Sequence, residues 1–126
     1  MSRFLSAAIL VASCTAAIAL EQAIPEPLGL DVVGLIHEAV RERLKDPESA
    51  RFGTLVGGRD RKGIFSACGW VNAKNSLGGY TGIMPFAGIM IEVSSKRAFH
   101  VVSMGDGGDG SEAVLALCKA LGLPLR

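Results

Sequence analysis

Cys68, His37, His100 and Asn72 are the residue types from which a cysteine hydrolase is assembled. That chemistry needs a free thiolate activated by a nearby imidazole. The chain offers a competing use for the sulfur. Cys68 and Cys118 are the only cysteines beyond an N-terminal apolar run that reads as an export signal. In an oxidising compartment such a pair closes as a disulfide, which removes the nucleophile. The expectation is therefore a Cys68–Cys118 bridge and no catalytic residue. Closing a loop of this length is worth about 4 kcal/mol in the chain-entropy model.

Other polar groupings have plain structural uses. Asp106 and Asp109, set among glycines, lack the bidentate Glu of a calcium loop. No Lys-Ser/Thr pair follows those glycines, as a phosphate loop would require. DGGDG (Asp106–Gly110) reads as a strand-to-helix turn, with Ser111 or Asp109 as the helix cap. Ser111 lacks the flanking glycines of a nucleophile elbow. His37 has no second ligand type four residues on, so it reads as a partly buried surface histidine. No pattern asks for a metal or another cofactor.

The richest stretch is Cys68–Phe86, CGWVNAKNSLGGYTGIMPF. Asn72, Asn75 and Ser76 are suited to satisfying turn backbone, and Gly78-Gly79 permits positive φ. One use is a hairpin loop held by its own amides. The other is recognition, with Lys74 for charge, Asn72 and Asn75 for hydrogen bonds, and Trp70 and Tyr80 for aromatic contact. The candidate binding residues are thus Trp70, Asn72, Lys74, Asn75 and Tyr80.

This stretch also carries a resemblance. Asp46, Pro47, Ser49, Ala50 and Phe52 form a DP-x-SA-x-F corner. Cys68, Gly69, Val71, Asn72, Lys74, Asn75, Gly78, Gly79, Tyr80 and Gly82 form CG-x-VN-x-KN followed by GGY-x-G. Together they resemble a family of small exported proteins of bacteria and their phages. The likeness covers roughly the middle third of the mature chain, and it implies an exported small domain without supplying a substrate. Where the family has an acidic residue after CG, this chain has Trp70, so any function of that carboxylate is missing here.

The elements that must position these residues begin after the export signal. Arg3 precedes the apolar run FLSAAILVASCTAAIAL, and Ala17-Ile18-Ala19 is a small-x-small cleavage site. Residues 1–19 are expected to be removed. Val11-Ala12-Ser13-Cys14 is an alternative lipobox, in which Cys14 would be acylated and anchor the protein at the envelope. Thr15–Leu20 stays apolar, which fits ordinary cleavage better. Removal takes away one base, Arg3, from 13 Lys+Arg and none of the 12 Asp+Glu. The neutral remainder has no basic footprint for nucleic acid.

Residues 20–29, with Pro25 and Pro27, read as a linker, and 30–126 as a single α+β domain. Asp31 is a plausible cap for a helix whose apolar stripe is Val32, Val33, Ile36, Ala39, Val40 and Leu44. Asp46-Pro47 ends it. Strands are expected at 52–56, 64–73, 83–93 and 97–104, joined as an antiparallel meander because no crossover helix intervenes. Gly57-Gly58 separates the first two, and Pro85 belongs at an edge or bulge. A last helix presents Val114, Leu117, Cys118 and Leu121 and stops at Gly122. One helix against four antiparallel strands is a cystatin-like arrangement. The functional expectation is an exported, periplasmic or envelope binding module for a protein, peptide or cell-wall component. The alternatives are a small cell-wall or peptide hydrolase and a phage-type envelope protection factor.

Overall fold

The computed structural model describes residues 21–126. The expected export signal, its expected cleavage site and Cys14 lie outside the described residues. The order is β1 (Ile24–Pro25), α1 (Leu30–Arg41), a 3-10 turn (Pro47–Ser49), β2 (Arg51–Arg59), β3 (Phe65–Asn72), β4 (Met84–Val93), β5 (Lys96–Met104) and α2 (Asp109–Ala120). The strands form one antiparallel sheet in the order β1-β2-β3-β4-β5.

The α+β class, the meander and the two terminal helices agree with the sequence reading. The arrangement differs from a cystatin-like one in two respects. There are five strands, because Ile24 and Pro25 of the expected linker pair with Arg59 and Gly58. The helices also lie on opposite faces. Phe65, Ala67 and Val71 of β3 point into one core with Ile36 and Val40 of α1. Cys68, of opposite parity on the same strand, points into a second core with Val114 and Cys118 of α2.

The expected disulfide is present, with Cys68 and Cys118 Cα atoms 6.1 Å apart and both residues fully buried. It joins the centre of the sheet to α2. Of the predicted stripe, Val32, Ile36, Ala39 and Val40 of α1 pack into the first core, joined by Leu44 from beyond the helix end, whereas Val33 is not part of it. Yet α1 starts at Leu30 with Gly29 as its N-cap, while Asp31 in the first turn pairs with Arg97 of β5 at 2.9 Å. The helix ends at Arg41, so Pro47 opens the 3-10 turn instead of stopping α1.

Gly57 and Gly58, expected to break the chain, lie inside β2 and are buried. A Cβ at Gly58 would stand 2.0 Å from the Ile24 carbonyl oxygen, so glycine is what lets β1 close on β2. Arg59 and Glu26 form an ion pair across the same seam. Pro85 is buried near the start of the interior strand β4, a strand-start position where the missing N–H is tolerated. Ser94 and Ser95 make the two-residue β4–β5 turn with φ of 50° and 64°, as a type I′ connection requires. Neither Ser111 nor Asp109 caps α2. Gly108 occupies that position, and the Ser111 hydroxyl accepts a hydrogen bond from the Gly107 N–H.

β5 is the outer strand of the sheet. One of its carbonyls, that of Val101, accepts a 2.9 Å hydrogen bond from the Arg43 guanidinium, reaching over from the turn after α1.

Candidate functional site

The two sequence motifs meet in space, and Ser49 is where they join. Pro47 starts a single 3-10 turn in which the Ser49 hydroxyl donates to the Asp46 carbonyl at 2.7 Å. The same hydroxyl oxygen accepts the Lys74 N–H at 2.8 Å. The Ser49 carbonyl accepts the Tyr80 phenol at 3.2 Å. The corner therefore holds both sides of the β3–β4 loop, whose Lys74 and Tyr80 also face each other in an isolated antiparallel bridge.

The loop amides are used internally. Asn75 Oδ1 accepts the N–H groups of Leu77 at 2.9 Å and Gly79 at 3.2 Å. Asn72 Oδ1 accepts the Gly82 N–H at 3.2 Å. The Thr81 hydroxyl and N–H both donate to the Ala73 carbonyl. Gly78 and Gly82 take φ of 83° and 99°, the left-handed values that suit glycine. Of the five candidate binding residues, Asn72 and Asn75 thus shape the loop, Lys74 and Tyr80 are the ones it presents, and Trp70 stands on β3 beside it.

Tyr80 is the centre of the presented group. The Arg51 guanidinium carbon lies 4.3 Å from its ring centroid and Lys74 Nζ 5.7 Å, both within cation–π range. The ion pairs among the described residues are Arg59–Glu26 and Arg97–Asp31, so neither Arg51 nor Lys74 forms one there. Trp70 shares a face of β3 with Cys68 but lies beyond it along the strand. With Arg51, Phe52, Gly53, Val71, Asn72 and Ile83 it lines a depression of about 210 Å3. Leu77 at the loop tip is 94% exposed and Ile83 65%.

Arg51, Leu77 and Ile83 were not singled out from the sequence. Strand alternation places Arg51 opposite in direction to the buried-side Phe52, and that was the available signal. Exposure of Leu77 could not be read, because an apolar residue in a turn carries no mark of which way it points.

The chain matches no protein-family model, no curated protein and no solved structure.

The hydrolase constellation is not assembled. Cys68 is fully buried and its sulfur is bonded to Cys118. His37 lies on α1, its ring stacked on Phe52 with centroids 3.7 Å apart. Burial, with the Arg41 charge adding to it, lowers the His37 pKa below its ordinary 6.5. His100 is exposed on β5. Among the described residues no three His, Cys, Asp or Glu side chains gather in a metal-holding group. No helix among them is long and apolar enough to cross a membrane.

Proposed function

We propose that this protein is an exported, non-catalytic binding module that engages an envelope protein, peptide or cell-wall component. The contact surface is the corner and loop, with Lys74, Tyr80, Arg51 and Trp70 as its polar and aromatic members and Leu77 and Ile83 as its apolar ones. The observation that carries this reading is the division of labour within the loop. Its amides are spent on its own backbone, while an aromatic ring flanked by two cations is held out by hydrogen bonds to Ser49. A turn that merely closes a hairpin has no use for such a cluster. Aromatic and Arg side chains held in place in advance are what binding hot spots are made of. The resemblance to small exported proteins and the Cys68–Cys118 bridge, which suits an oxidising compartment, both favour export.

The test uses the oxidised domain starting at residue 20 as bait in envelope extract. Lys74→Ala combined with Arg51→Gln is expected to leave the melting temperature nearly unchanged and to abolish capture. Tyr80→Ala is a poorer probe, since losing its bond to the Ser49 carbonyl costs about 1 kcal/mol by itself. As a control, Asn75→Ala strips the acceptor from two solvent-exposed backbone N–H groups and is expected to destabilise by about 0.5–1 kcal/mol. Wild-type capture by the folded double variant would overturn the proposal.

A further inference from the structure

On the other side of Lys74 lies a cleft of about 310 Å3 that the loop face does not use. Its apolar lining comes from Leu44, Ala73, Met84 and Met104. Around it stand three cations, Arg43, Lys45 and Lys74, and one carboxylate, Asp106. The Asp106 Oδ1 is already engaged with the Gly108 N–H. None of the three cations belongs to an ion pair among the described residues. Arg43 is steadied by its bond to the Val101 carbonyl, and Lys74 by the bond from its backbone N–H to Ser49. The cleft is therefore a partly buried apolar floor under a rim with an excess of positive charge.

We infer that this cleft binds a small amphiphilic anion, an aliphatic chain ending in one anionic head. The chain lies on Leu44, Met84 and Met104, and the head is held by Lys45, Lys74 and Arg43. Size favours a small molecule, because the volume sits at the lower end of the range for ligand sites, about 300–1,000 Å3. The lining favours a flexible chain, because methionine side chains adapt to apolar surfaces of irregular shape. Charge decides the head. An anionic head makes charge-assisted hydrogen bonds to cations of this rim, which a neutral head cannot do. This inference does not depend on the loop face binding a partner. The two meet at Lys74 and its loop neighbours Asn75 and Thr81, whereas Arg43, Lys45, Met84 and Met104 belong to the cleft alone.

Methionine-methyl NMR reads the site directly. Met84 and Met104 line the cleft, Met104 also touching the α1 core, whereas Met90 packs against that core outside the cleft. Decanoate, kept below its micelle-forming concentration, is the probe, and decanol is its neutral counterpart. Decanoate is expected to shift the Met84 and Met104 methyl signals saturably and to leave Met90 still. Decanol should bind about tenfold more weakly or less well still, the loss expected when a charged hydrogen-bond partner is removed. Lys45→Gln with Lys74→Gln should weaken decanoate by about tenfold while the ligand-free spectrum stays unchanged. No saturable shift, an equal response to decanol, or a parallel movement of Met90 would each overturn the inference. Lys45→Gln alone lies off the loop face and should leave envelope capture intact, which keeps the two proposals separable.

Discussion

The two faces of the sheet are held by different means. On the α1 face, Phe65, Phe86 and Phe99 interlock with Ile36, Val40, Val71 and Val101. On the α2 face the buried apolar cluster is Ala23, Cys68, Ala87, Val114, Cys118 and Leu123, with no aromatic among them. Burying a side chain the size of Phe or Ile is worth about 1.5–3 kcal/mol, and alanine offers far less area. The α1 face can thus be stable by apolar burial alone. The α2 face gains its security from a covalent link at its centre, with the Ala23 N–H bonded to the Leu121 carbonyl at its margin. Small side chains bring a helix close enough for a disulfide, and they leave little else to keep it there.

The largest expected effect tests the covalent side. Reduction, or the Cys68→Ala/Cys118→Ala variant, should cost about 4 kcal/mol in urea unfolding. Hydrogen exchange should then show α2 losing protection before α1. Equal loss on both faces would erase the contrast. Ile36→Ala tests the other side, and an expected cost of about 3 kcal/mol should be the same with and without reductant. Val114→Ala is smaller, about 2 kcal/mol, and its effect on α2 protection should grow once the disulfide is reduced. The smallest effect concerns His37 at the rim of the α1 face. Its pKa is lowered in the folded state, so the unfolded chain takes up the proton first as pH falls. Stability should therefore decline as pH drops below the unfolded value near 6.5. His37→Gln should flatten that part of the melting temperature against pH.

The sequence made the α1 face readable because Ile36, Ala39, Val40 and Leu44 repeat at helical spacing. It also made the disulfide readable, because two cysteines beyond the N-terminal apolar run leave one pairing. The fifth strand was hidden for a physical reason. Pro25 and Pro27 mark an extended segment, and extended chain next to prolines looks the same whether it pairs or not. What lets it pair is the bare backbone of Gly58, and a glycine in a sequence announces a turn as readily as a close approach. Opposite placement of the helices was hidden too, since Cys118 fixes which strand α2 meets but not where α1 goes. At the candidate site the residue types were legible, but their division into loop-holding amides and presented side chains required Ser49. Its link to Lys74 spans 25 positions and to Tyr80 spans 31.

The Arg43 bond to Val101 has a bearing on solubility. An outer strand with idle backbone groups is a template on which another chain can add itself, and repeated addition leads to fibres. β5 is such a strand, nine residues long, with Ala98, Phe99, Val101 and Val102 along its middle. A guanidinium seated on a carbonyl partway along it removes one rung, so an incoming strand must displace a charged side chain before its ladder can run through. Arg43→Ala would open that rung and should show itself first as concentration-dependent aggregation, before any loss of fold.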